Sequence, residues 1–172
     1  MKKSKIVDLV IFSMLGAILF VGDIAFDFLP NLHPLAMLMV TYTLTYRARA
    51  LVPIYVYVFL LGIFNGFSLW WIPYLYIWAV LWLFSMLIPK GASLKVKGIL
   101  ATVVCALHGI LFGILYAPSQ AILFGLNFSG TVAWIVAGFP WDIVHMFGNI
   151  ACSFLVIPLY RLLTRLEEKR TI

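Results

Sequence analysis

The chain has 172 residues, of which 65% are hydrophobic, 16% aromatic and only 10% charged, and its mean hydropathy is +1.10. Soluble domains carry about half apolar and about a quarter charged residues. This composition therefore excludes a water-soluble enzyme, a nucleic-acid-binding domain and a disordered tail, and it makes lipid the solvent. The excess of 12 Lys+Arg over 6 Asp+Glu reads as topology, because cytoplasmic loops of membrane proteins retain basic residues.

A helical crossing takes about 20 apolar residues, fewer where neighbouring protein encloses the helix. Met1-Lys2-Lys3-Ser4-Lys5 precedes an apolar run over 6–27. That run carries Asp8, Asp23 and Asp27 and has no small-residue cleavage signature, so it reads as a retained first span and not a signal peptide. It ends at Phe28-Leu29-Pro30-Asn31. The second span covers 32–46 and stops at Arg47-Ala48-Arg49; the third covers 50–67, weakening at Gly66 and Ser68. Pro73 opens a fourth span over 73–88, closed by Pro89-Lys90-Gly91, and the fifth runs over 98–117 to Pro118. Residues 119–139 are interrupted by Asn127-Phe128-Ser129-Gly130 and by Gly138-Phe139-Pro140, and are expected as an external, partly helical excursion. Pro140 suits a first helical turn and opens the last span, 140–163, ahead of Arg165 and Glu167-Glu168-Lys169-Arg170. The expected fold is a single all-α integral membrane domain of six transmembrane helices.

With six spans, the N-terminus, the 47–49 turn, the 90–97 loop and the C-terminal tail share one side. Those segments contain every Lys and Arg of the chain: Lys2, Lys3, Lys5, Arg47, Arg49, Lys90, Lys95, Lys97, Arg161, Arg165, Lys169 and Arg170. A seventh crossing by 119–139 would carry the last four to the opposite side, against the positive-inside rule. Both termini are therefore expected to be cytoplasmic.

Asp23, Asp27, His33, Asp142 and His145 then fall at or near the external ends of spans. Asp23 and Asp27 are four apart and share a helix face; Asp142, His145 and Asn149 are spaced i, i+3, i+7 and share another. Ionisable groups at such depth normally face a bundle interior or a wet cavity. Asp142 also has a plainer reading, since an acid in a first turn stabilises a helix N-terminus. Asp23 and Asp27 equally suit tethering of the first loop, and His145 a hydrogen bond between helices. Aromatics gather on the same side: Trp70, Trp71, Tyr74, Tyr76 and Trp78 around one turn, with Trp134 and Trp141 near the last span. They suit either an interfacial belt or loops stacking on a flat solute, with Asn65 one turn inside as an orienting donor.

Ser13-x-x-x-Ala17 and Gly109-x-x-x-Gly113 each put small side chains on one helix face, which suits close internal packing or docking of a separate membrane subunit. Cys105 and Cys152 lie in apolar stretches without metal or redox spacing and read as packing residues. No catalytic site, cofactor or resident metal is expected. Ser129 and His145 are too close in sequence for the serine–histidine dyad of an intramembrane protease, and neither a phosphate-binding loop nor a zinc motif occurs. The carboxylates and histidines would be chemically suitable for a transition-metal carrier, but no H-x-H or H-x-x-x-H pair is present.

The whole-chain pattern resembles the substrate-binding S components of energy-coupling factor (ECF) vitamin transporters. About six spans in under 200 residues and an external polar and aromatic cluster carry the likeness. The segment Gly138-Phe139-Pro140-Trp141-Asp142-Ile143-Val144-His145-Met146-Phe147-Gly148-Asn149 is similar to the opening of the last helix in a subset of that family. Where the family has Ala-x-x-x-Ala in the first helix, this chain has Ser13-Met14-Leu15-Gly16-Ala17. The resemblance implies a multi-pass protein of the bacterial cell membrane that binds a vitamin from outside. It further implies delivery through a membrane coupling subunit (EcfT type), docked at Ser13 and Ala17 and driven by two cytoplasmic ATPases. The expected solute-binding residues are Asp23, Asp27, His33, Asn65, Trp70, Trp71, Tyr74, Trp78, Trp141, Asp142, His145 and Asn149. With no external Lys or Arg, a strongly anionic solute is disfavoured and a neutral, amide-bearing or cationic one favoured. Cobalamin ranks first, ahead of pantothenate, riboflavin, pyridoxine-like compounds and queuosine precursors.

Overall fold

The computed structural model describes residues 2–29 and 32–171, with side chains over 6–29 and 32–170. The described residues are helical and loop only. The helices are α1 (Lys2–Phe26), α2 (Leu35–Tyr46), α3 (Leu51–Asn65), α4 (Tyr74–Met86), α5 (Leu94–Ile110), α6 (Phe112–Phe124), α7 (Phe128–Ser153) and α8 (Val156–Thr171). Short 3₁₀ turns at Arg47–Ala50 and Leu69–Trp71 join α2 to α3 and lead into α4. Five segments are long and apolar enough to cross a membrane: Ile6–Phe26, Leu35–Asn65, Leu69–Met86, Leu94–Phe124 and Phe128–Ser153. These features are those of a multi-pass membrane protein. Pro30 and Asn31, in the expected first loop, and the side chains of Lys2, Lys3 and Lys5 lie outside the described residues.

The segment Leu35–Asn65 is two antiparallel passes. Arg47 takes a φ of +55°, which ends α2. Tyr42 reaches back to the Leu15 carbonyl and Gly22 adjoins Leu38, so α2 runs antiparallel to α1. Gly16 adjoins Val56 and Asp23 meets Tyr57, so α3 runs parallel to it. A β-carbon on Gly16 would lie 2.5 Å from Val56 Cγ1, so the hydrogen side chain is what lets α1 and α3 approach this closely. With only 12 residues, α2 is about 18 Å long, too short to cross alone. Ten of its residues are buried, however, so protein and not lipid surrounds it. Its threonines are satisfied locally: the hydroxyls of Thr41, Thr43 and Thr45 donate to carbonyls four residues earlier at 2.8–2.9 Å.

The α5–α6 pair is one 31-residue helical segment bent at Leu111, and α7 runs back antiparallel along it. Three observations set this register: Asn149 meets Cys105, Asp142 meets Gly113, and Tyr116 stacks on Trp134. Gly125, left-handed at φ +65°, ends α6, and Asn127 opens α7 by accepting the Gly130 N–H at 2.8 Å on Oδ1. Residues 119–139, expected as an external excursion, are thus the end of α6, a three-residue turn and the first half of α7. The last span likewise differs from the expected 140–163. It begins at Phe128 and ends at Ser153, and α8 is a separate amphipathic helix.

Helix α8 crosses one end of the bundle. Ile157 adjoins Gly98 on α5, Tyr160 accepts from Lys97 at 3.1 Å, and Arg170 pairs with Asp8 on α1. Arg49 reaches the same Asp8 at 3.7 Å. Arg47 donates to the carbonyls of Met86 and Ile88 at 2.6 and 3.2 Å, neutralising the C-terminal end of α4. The described side chains of the basic residues named above therefore collect at one end of the molecule, which also holds the start of α1.

Candidate functional site

From Lys97 to His108, α5 rises about 16 Å, which places His108 near mid-depth of a hydrocarbon layer about 30 Å thick. Here all three histidines of the chain converge. His145, from α7, lies edge-on to His33 with ring centroids 5.0 Å apart and to His108 with centroids 6.1 Å apart. Phe112 closes on His145 at 5.0 Å, and Trp78 of α4 stacks on His108 at 5.2 Å. Tyr57 and Tyr74 pack edge-to-face on Trp78, and Trp70 on Tyr74. His33 reaches this depth because the start of α2 sits level with Gly22, four residues inside the end of α1. Irregular backbone at such depth is tolerated where protein covers it.

The cluster is closed, with His108, His145 and Trp78 only 0%, 1% and 2% exposed. Most of its polar atoms are nonetheless unsatisfied. His33 Nδ1, both nitrogens of His145, Trp78 Nε1 and Asn149 Oδ1 are buried without a hydrogen-bond partner, while the His108 ring faces the Ile77 carbonyl. Each such group costs on the order of 1–3 kcal/mol. Buried polar atoms are normally paired, so these are candidates for hydrogen bonding to a bound molecule. The described residues contain no group of three His, Cys, Asp or Glu arranged to hold a metal ion. A neutral imidazole offers one donor and one acceptor.

The rest of the α7 face is fixed in place. Asn149 Nδ2 donates to the Cys105 carbonyl at 3.1 Å, which leaves its Oδ1 as the free atom. Both carboxylate oxygens of Asp142 accept from the Gly113 N–H, at 3.2 and 3.1 Å. Because the chain bends at Leu111, that N–H is in the first turn of α6 and has no helical partner. The first-turn reading of Asp142 is therefore corrected: it sits in the interior of α7 and caps α6 instead of its own helix. Gly109 and Gly113 pack internally, since added β-carbons would lie 2.6 Å from Met146 Cα and 2.5 Å from Asp142 Oδ2.

The expected site residues divide into four groups. His33, Trp78, His145 and Tyr74 meet in the cluster, with Asp142 and Asn149 each about one turn of α7 from His145. Asp23 borders it through Tyr57, whose hydroxyl donates to Asp23 Oδ2 at 3.0 Å. Trp70 borders it through Tyr74. Trp71 serves the fold: its indole N–H donates to the Val58 carbonyl at 2.8 Å. Asp27, Asn65 and Trp141 are exposed, outside the buried cluster. Ser13 and Ala17 are exposed on α1, beside a shallow apolar groove formed with Gly22 and Leu38. Sequence reasoning missed His108; an ionisable residue in the middle of an apolar run was the available signal. No protein-family model, curated protein or solved structure matches this chain.

Proposed function

We propose that this protein is the solute-binding subunit of a membrane importer of the S-component type, not an enzyme. In this reading it captures a vitamin-class molecule at the outer face of a bacterial cell membrane. The solute passes on through a coupling subunit driven by two ATPases. The observation that carries the reading is the convergence of His33, His108, His145 and Trp78, with unpartnered buried nitrogens among them and the Asn149 amide oxygen one turn of α7 from His145. Such a lining recognises a neutral solute with amide, hydroxyl or ring-nitrogen groups and a flat apolar part. Cobalamin, rich in peripheral amides, ranks first. The segregation of the basic side chains to the opposite end supports a cytoplasmic location for that end and for both termini.

Binding of a vitamin panel that includes cobalamin to the detergent-purified protein tests the proposal, followed through the fluorescence of Trp78 in its stack with His108. His145→Ala weakens binding of the responding vitamin at least tenfold, from loss of about 1.4 kcal/mol or more of hydrogen bonding, without lowering expression. Unchanged affinity refutes the site. Ala17→Leu, on the exposed face of α1, leaves binding intact and abolishes cellular uptake; retained uptake refutes docking there.

A second reading, a transition-metal carrier, rests on the three imidazoles alone, although the described residues hold no group arranged for a metal ion. Uptake of Co²⁺, Ni²⁺ or Zn²⁺ with no vitamin binding would select it.

A further inference from the structure

Where α5, α7 and α8 meet at the basic end of the bundle, they enclose an open groove of about 590 Å³. Its walls are Ile99 and Val103 from α5, Phe154 from the turn after α7 and Ile157 from α8. Phe154 is 73% exposed and Ile99 55%, so this surface is apolar and open to whatever surrounds the protein. The polar groups at its deep edge are already matched: Thr102 and Ser153 share a hydrogen bond of 2.8 Å, and Ser153 donates to the Ile150 carbonyl. Lys95 and Arg161 also line the groove, both exposed, and no acidic side chain does. Gly98 lines it as well, close against Ile157.

An apolar channel along the membrane-facing side of two helices, with two cations at the end where the bundle meets water, matches one occupant. We propose that this groove is a binding site for an anionic phospholipid. One acyl chain lies along Ile99, Val103 and Phe154, and the phosphate sits between Lys95 and Arg161. The argument is charge complementarity joined to apolar contact: a free phosphate would leave the hydrophobic wall uncovered, and a zwitterionic lipid would oppose its own cation to Lys95 and Arg161. This inference is independent of the solute proposed above.

The test is native mass spectrometry of the full chain from mixed micelles containing phosphatidylglycerol or phosphatidylcholine. Wild type is expected to retain one phosphatidylglycerol in preference to phosphatidylcholine, and excess glycerol phosphate is expected not to displace it. Lys95→Gln with Arg161→Gln lowers retention about twenty-five-fold, roughly fivefold for each cation. Arg165→Gln with Lys169→Gln removes the same charge outside the groove and leaves retention unchanged. Equal retention of the two lipids overturns the proposal, as does displacement by glycerol phosphate. Equal losses in both double variants also overturn it, because they reveal diffuse surface attraction. Helicity and thermal melting of each variant separate a lost site from a lost fold.

Discussion

Replacing Gly109 with Ala probes the contact on which the buried cluster is built. The new β-carbon would sit 2.6 Å from Met146 Cα and 2.9 Å from the His145 carbonyl carbon, where ordinary contact is 3.4–4 Å. The obstructing atoms are backbone, so no side-chain rotation relieves the clash and α5 and α7 must separate by about 1 Å locally. Overpacking of this kind costs about 1–3 kcal/mol. A 1 Å separation also takes the Asn149–Cys105 bond beyond hydrogen-bonding range from its present 3.1 Å, adding about 1 kcal/mol. A loss of about 3 kcal/mol corresponds to a fall in Tm of about 6–12 °C for a chain of this size. Thermal labelling of the buried Cys105 by a maleimide fluorophore in detergent measures it. Gly138→Ala is the control: it lies in α7 with nothing within 4 Å of the added carbon, and helix propensity alone raises stability by up to about 1 kcal/mol. If Gly109→Ala melts within 2 °C or so of wild type, the close approach of α5 and α7 is wrong, and so is the placement of His145 beside His108.

Two further outcomes follow from the geometry. His33→Ala removes the ring that meets His145 edge-on at 5.0 Å and lowers Tm through the gap it leaves; an unchanged Tm removes His33 from the buried cluster. Arg170→Ala severs the contact of α8 with Asp8 of α1 and the pairing with Glu167 within α8, so amides in the last two turns of α8 exchange faster with deuterated solvent while those of α7 do not. Equal exchange in wild type and variant means α8 is not held across the base through Arg170.

The polar face of α7 was legible because helical spacing is visible along one chain. The i, i+3, i+7 pattern of Asp142, His145 and Asn149 emerges as a buried stripe against α5. His108 was not legible in the same way: its neighbours Leu107, Gly109 and Ile110 are apolar, and its polar companions come from the loop before α2 and from α4 and α7. Gly138-Phe139-Pro140 suggested a helix start, yet Pro140 lies inside α7 with its ring on the exposed side. A missing N–H is tolerated there more readily than in the core. The true start, Asn127, carried its own capping signature. The turn at Phe154-Leu155 was hidden by continuous apolar composition; Pro158, in the first turn of α8, was the available mark of a new helix. Small residues also exchanged expected roles, since Gly16 and not Ser13 or Ala17 admits α3.

The bent α5–α6 segment is about 46 Å long and α7 about 39 Å, from their 31 and 26 residues, whereas α4 measures about 20 Å from its 13. Tall and short helices thus stand side by side, since α1 with 25 residues is nearly as long as α7. Hydrocarbon about 30 Å deep fits the tall helices only by leaning them or swelling around them. Bilayer depth thereby becomes a control on posture: short-chain lipids press the molecule over, and long-chain lipids let it stand. Reconstitution in lipids of graded chain length turns that uneven profile into a dial for the tilt of the helices that enclose the histidine cluster.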